Sequence, residues 1–340
     1  MAVTLKNLNE QVIVITGASS GIGLTTARMA AERGARLVLS ARNEEALKKL
    51  TDEINAGGNQ ATYVAADVGN EGDVKKIAAE ALNRFGGFDT WVNNAGVSIY
   101  GKIADVSIED MRQVFETNFW GLVHGSLIAA EHLRERGGAI VNIGSTLSDR
   151  AIPLQGIYSA SKHAVKGFTD AFRMELEAED APISVTLIKP SAIDTPYKAH
   201  AKNYLDSQPQ DPPPVYAPET VAEAILHCAK NPVRDVFVGA AGKALSALGR
   251  HAPRLTDLYM ESTMLGQQSG SETEMDRPFE GLYRSHDSRL RERGNYDGYV
   301  AESSLYTKAS LHPVITGAAF ALGAAGLAYT VYAARSTRPQ

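Results

Sequence analysis

The stretch YSASK places Tyr158 four residues before Lys162. On a helix, residues i and i+4 stack on one face, so a phenol and an ammonium can reach the same small volume. A free phenol ionises near ~10 and is a poor base at neutral pH. A neighbouring cation favours the phenolate and brings proton transfer within range. The pair is therefore a candidate for moving a proton. The spacing alone is a weak motif, and its meaning depends on the residues around it. His163 follows Lys162 one position round the helix, so it faces elsewhere and reads as structural.

A second candidate centre is the run VIVITGASSGIGLTTARMAAERGA, which reads as strand, glycine-rich turn and helix. Gly17, Gly21 and Gly23 would let backbone amides approach a diphosphate at the helix N-terminus, where the partial positive charge favours an anion. The end of the following strand, VLSARNEE, would lie beside an adenosine ribose; an acid there would repel a 2′-phosphate. Ser40, Ala41 and Arg42 include no acid, and Arg42 offers a charged planar fork suited to phosphate. NADP(H) is accordingly the preferred cofactor, with NAD(H) as the alternative.

The elements that must position these groups are legible as apolar runs rich in β-branched residues. They fall at 12–16, 36–40, 62–66, 90–94, 139–145, 183–189 and 235–239. Helical segments of crossover length lie between them, including 44–56, 71–85, 109–135, 158–179 and 219–229. This alternation predicts an α/β fold with a doubly wound parallel sheet of about seven strands, ligands binding at the strands' carboxyl ends. The proline-rich stretch 202–218 precedes the last strand and reads as part of a substrate-covering loop, about 191–220. Residues 1–241 then form the catalytic domain, 242–312 an extension of undetermined architecture, and 313–335 an apolar helix.

Bulk properties set limits. The chain has 340 residues and a formal net charge of -5, which argues against a nucleic-acid surface. Its one cysteine, Cys228, allows no intrachain disulfide and no cysteine-based metal centre; no metal site is expected. A reducing compartment fits, with the cytoplasmic side as the default.

In order and spacing the motifs resemble the short-chain dehydrogenase/reductase family, in its subgroup with single-domain Rossmann subunits. The carriers are TGASSGIG at 16–23, DV at 67–68, NNAG at 93–96, Asn118 in ETNFWG, Ser145 in NIGS, and Tyr158 with Lys162 in YSASK. The resemblance covers about residues 8–240 and implies a catalytic tetrad of Asn118, Ser145, Tyr158 and Lys162. It implies that Gly17, Ser19, Ser20, Gly21, Ile22 and Gly23 hold the cofactor's phosphates. Asp67 and Val68 would line the adenine pocket, Asn94, Ala95 and Gly96 the ribose side, and Pro190, Ile193 and Thr195 the nicotinamide. Lys162 would also hold the nicotinamide ribose. Glycine usually follows that proline; here Ser191 stands there. Read as lone residues, Ser145 is a strand-end turn former, and Asp67 and Asn94 are strand-end caps.

The implied activity is hydride transfer between NADPH and a carbonyl or alcohol, with Tyr158 as general acid/base. The alternative is a non-catalytic NADP(H)-binding regulatory or scaffold protein, which would be expected to lack the tyrosine or the lysine. Homo-oligomers are common among such proteins. Finally, 314–334 carries no charge and would span about 31 Å as a helix at ~1.5 Å per residue, close to a bilayer core. A membrane anchor is expected there, and a lipophilic substrate with it; the alternative is a soluble helix packed against the body or a partner subunit.

Overall fold

The computed structural model describes residues 3–273, 281–285, 289–294, 296–314 and 316–318. Seven parallel strands form its central sheet: Val12–Thr16, Arg36–Ala41, Ala61–Ala65, Thr90–Asn93, Gly138–Ile143, Ile183–Pro190 and Asp235–Val238. Numbered along the chain, they lie in the order seventh, sixth, fifth, fourth, first, second, third. The winding reverses between the first and fourth strands. A crevice opens there at the carboxyl ends, the place where this class of sheet binds ligands.

Alternation along the strands explains why both faces are covered. Ile13 and Ile15 of the first strand point into one core, with Leu24 and Ala27 of helix Gly21–Glu32 and Val221 and Ile225 of helix Pro218–Lys230. Val12 and Val14 point to the opposite core, with Val74 and Ile77 of helix Glu71–Phe85, Leu133 of Gly121–Arg136 and Phe172 of Gly156–Ala178. A period of two on a sheet sandwiched by helices gives continuous apolar runs, which is why the sequence shows no polar face.

Three segments differ from the sequence reading. The helix expected over 109–135 is three consecutive pieces, Ile108–Phe115, a π turn at Glu116–Trp120, and Gly121–Arg136. Single π turns frequently mark functional positions, and here the turn carries Asn118. The proline-rich loop also contains local structure: helix Tyr197–His200 and a strand pair in which Val215–Tyr216 lies beside Ala192–Ile193.

The extension, third, is folded onto the body. Helices Ala240–His251 and Pro253–Gln267 pass beside the crevice, and strand Val300–Ala301 adds to Val215–Tyr216. Helix Leu305–Leu311 is tied to the end of the seventh strand, where the Gly239 N–H donates to Thr307 Oγ1 at 3.1 Å. Among the described residues no helix is long and apolar enough to cross a membrane. The apolar segment 314–334 lies outside the described residues except for 314 and 316–318.

Candidate active site

One cleft of about 1250 Å³ runs along the carboxyl ends of the strands and collects most of the residues singled out from the sequence. Gly17, Ser19, Ser20, Gly21, Ile22, Arg42, Asp67, Val68, Asn94, Ala95 and Gly96 line one half. Ser145, Tyr158, Lys162, Pro190, Ile193 and Thr195 line the other. Gly23 and Asn118 stand behind the wall instead.

The glycine-rich turn is a cradle without room for side chains. Gly17 has φ +68°, and a Cβ on it would lie 2.8 Å from the Ala95 Cα. A Cβ on Gly23 would lie 2.2 Å from the Gly17 carbonyl oxygen. Ser20 stands at the N-cap of helix Gly21–Glu32 without a side-chain capping bond. This combination, a backbone concavity at a helix N-terminus whose Gly21 N–H meets the Arg291 carbonyl at 2.9 Å, fits a dinucleotide's diphosphate.

Around it the expected cofactor residues also brace the fold. Asn94 Nδ2 donates to the Thr16 carbonyl at 2.9 Å and to that of Gly17 at 3.2 Å, so it holds the turn's shape. Asp67 accepts from the Gly69 N–H at 2.9 Å, and the Val68 carbonyl lies 3.2 Å from His124 Nδ1. Arg42 donates at 2.9 Å to the Leu282 carbonyl and at 2.6 Å to that of Gly281, both in the extension. Its fork is thus shared between the cleft and a segment far along the chain.

Tyr158 and Lys162 lie on helix Gly156–Ala178, one turn apart, as their spacing predicts. Lys162 is only 5% exposed, and its Nζ donates to the Ile143 carbonyl at 2.8 Å. Burial lowers its pKa to about 8. The Tyr158 pKa is raised, because desolvation outweighs the hydrogen bonds it makes with Tyr197 and Ser145. The sequence reading expects Lys162 to draw this phenol toward ionisation. In the protein itself the opposing pull comes from the two hydroxyls, since desolvation penalises the charged forms of phenol and ammonium alike.

Ser145 has two roles. Its Oγ accepts from the Leu147 N–H at 3.0 Å, making it the N-cap of a short 3-10 turn, and it reaches the Tyr158 hydroxyl. Asn118, 1% exposed, spans the Val97 backbone: Oδ1 accepts from its N–H at 2.8 Å and Nδ2 donates to its carbonyl at 2.9 Å. Nδ2 also reaches Ser161 Oγ at 3.1 Å, which in turn donates to the Tyr158 carbonyl at 2.7 Å. Asn118 therefore holds the backbone beside Gly96 and the helix that carries the tyrosine. His163 is exposed and its Nδ1 lies 2.8 Å from the Ser159 carbonyl, away from the cleft.

Sequence reasoning missed Tyr197. Its hydroxyl donates to the Val97 carbonyl at 3.0 Å, its ring centre lies 5.9 Å from that of Tyr158, and burial pushes its pKa well up. A tyrosine directly after the TP of KPSAIDTP was the available signal. Ser191, the departure from the usual glycine, continues the backbone path: its N–H donates to the Val238 carbonyl at 3.0 Å. Room for its side chain comes from Gly242, where a Cβ would lie 2.5 Å from Ser191 Oγ. The far wall is apolar. Leu147, Ile152, Leu245, Met260 and Met264 form one cluster, three of them supplied by the extension.

Comparison with known proteins agrees with this geometry. The short chain dehydrogenase family profile matches residues 11–205. An uncharacterized oxidoreductase of Bacillus subtilis (strain 168), YxnA, is 51% identical over 320 residues, 93% of this chain and 90% of that protein. 11-beta-hydroxysteroid dehydrogenase A of Sesamum indicum is 38% identical over 54% of this chain. That match spans only 53% of the Sesamum protein, about half its length.

Among solved structures, an alcohol dehydrogenase from the archaeon Thermococcus sibiricus complexed with 5-hydroxy-NADP has TM-score 0.60 and 28% identity, covering 67% of this chain and 95% of its own. A short chain dehydrogenase/reductase from Burkholderia phymatum in complex with NAD has TM-score 0.63 and 25% identity, covering 81% and 100%. The chain belongs to the short chain dehydrogenase family. It is accordingly an oxidoreductase, and the NADP-type and NAD ligands of these two neighbours support a nicotinamide cofactor.

Proposed function

We propose that the protein is an NADP-dependent oxidoreductase that reduces the carbonyl group of a lipophilic small molecule, with Tyr158 as the proton donor. The carrying observation is the Tyr158 hydroxyl, bonded to Ser145 and Tyr197 on the cleft wall and held protonated by its surroundings. A bound nicotinamide would supply the hydride. The chain's own residues then have one task, which is to orient the carbonyl and deliver one proton. Ser145 donates to the carbonyl oxygen and stabilises charge as it develops there. Tyr158 gives its proton to the same oxygen. Lys162 stands behind Tyr158, and its ammonium offsets the charge left on the phenolate. Asn118 and Tyr197 meet at the Val97 carbonyl and fix that wall.

Preference for NADP rests on Arg42 and on the lack of an acid at 40–42. A lipophilic substrate is supported by the apolar wall of Leu147, Ile152, Leu245, Met260 and Met264, and by the steroid dehydrogenase among the relatives. The uncharged stretch 314–334 supports a membrane anchor; a homo-oligomeric state and the cytoplasmic face belong to the same proposal, from the family resemblance and the single cysteine. Deleting 313–340 would then move the protein from the membrane pellet to the supernatant, and a full-length protein already in the supernatant refutes the anchor.

The test of the activity is NADPH and NADH consumption against aldehydes, ketones and oxidised lipids, with purified protein. Turnover with at least one apolar ketone or aldehyde, faster with NADPH, is expected. Tight cofactor binding with no turnover across the whole panel would favour a binding protein instead.

A further inference from the structure

The phosphate half of the cleft has a second wall that the sheet body does not supply. Gly281, Arg284, Ser285, Arg289 and Arg291 of the extension line the same cleft as the glycine-rich turn. The two walls are within one hydrogen bond of each other, since the Gly21 N–H donates to the Arg291 carbonyl at 2.9 Å. The segment is held by several independent ties. Arg28 pairs with Glu292 at 2.6 Å, Arg293 with Glu219 at 2.9 Å, and Arg42 grips the carbonyls of Gly281 and Leu282. Leu282 is itself fully buried with Val97, Ile99 and Val114. Such anchoring is far more than a loose tail would have.

Charge gives this wall a direction. The basic side chains lining the cleft among the described residues are Arg42, Lys162, Arg284, Arg289 and Arg291, against the carboxylates of Asp67 and Asp211. The chain as a whole carries -5. A net positive cleft in an acidic protein concentrates anions, and guanidinium forks match phosphate oxygens.

We propose that Arg284, Arg289 and Arg291 of the extension form a second phosphate subsite for the nicotinamide dinucleotide, so that the extension completes the cofactor site. This rests on the oxidoreductase reading above. It assigns to Arg284, Arg289 and Arg291 a ligand-binding role that the family motifs, which end near residue 240, do not contain.

Direct binding tests it without turnover. NADPH and 2′,5′-ADP are titrated by fluorescence and calorimetry into the full-length protein, R284A/R289A and R284K/R289K, at low and high salt. Both residues are exposed, so the core is left intact. The alanine pair should weaken both ligands about tenfold or more and flatten the salt dependence, and the lysine pair should recover much of both. Affinities within twofold of the unaltered protein, with the same salt dependence, overturn the second subsite alone. An unaltered protein that binds no nicotinamide dinucleotide overturns both this subsite and the oxidoreductase reading.

Discussion

Lys162 Nζ lies 5.7 Å from the centre of the Tyr158 ring and donates its proton to the Ile143 carbonyl at 2.8 Å. The two groups share the cleft wall, as their i, i+4 spacing requires, yet the ammonium is spent first on a backbone acceptor. Both are pushed by burial toward their neutral forms. The phenol therefore enters the reaction protonated at neutral pH, the state that a carbonyl reductase needs.

Removing only the Tyr158 hydroxyl should separate binding from chemistry. In Tyr158→Phe, turnover is expected to fall by about 10²–10⁴, the usual contribution of a positioned acid, while NADPH affinity stays within about threefold. Steady-state rates and a fluorescence titration check it; near-normal turnover contradicts the assignment.

Lys162 should be a residue kept for function at a cost in stability. Its folded pKa of about 8 lies below the 10.5 of a free lysine, so between these values the unfolded chain binds more protons than the native one. The penalty is fully present below pH 8 and is relieved as pH rises toward 10.5, making stability climb across that window. At pH 7 the penalty is about 3 kcal/mol from the shift, offset in Lys162→Met by about 1–3 kcal/mol for the Ile143 carbonyl left without its donor. Urea unfolding at pH 7 should find Lys162→Met as stable as the parent or more so, with the parent gaining on it by pH 10. A variant much weaker at pH 7 and equally so at pH 10 would show that the ammonium is not desolvated.

Asn118 makes a different prediction because it is buried between two backbone groups. Asn118→Ala leaves the Val97 N–H without its acceptor and should destabilise the protein by about 1–3 kcal/mol, beyond any loss of turnover. Asn118→Asp keeps an acceptor for that N–H but loses the donor to the Val97 carbonyl and Ser161, so an intermediate loss is expected. Denaturant midpoints at fixed m-value read both.

Arg42 joins cofactor choice to the extension. Arg42→Asp should raise the KM for NADPH much more than that for NADH. It should also loosen 281–285, whose two carbonyls it grips, and so speed proteolysis there. Equal effects on the two cofactors would remove the 2′-phosphate role, and unchanged cleavage would remove the tie.

What the sequence determined is what local chemistry writes. The seven strands follow from apolar runs between turns, and their parallel direction follows from their alternation with helices. The glycine-rich cradle follows from residues that only a bare backbone tolerates, and the tyrosine and lysine share a face because helical periodicity is fixed. Tertiary structure decided what depends on contacts distant along the chain. It placed Tyr197 against Tyr158, wound a π turn at Asn118 to reach Val97, and brought Arg284, Arg289 and Arg291 into one cleft with a turn more than 260 residues earlier. It also set the sign of the Tyr158 shift, because desolvation is a property of everything packed around a group and of no motif within it.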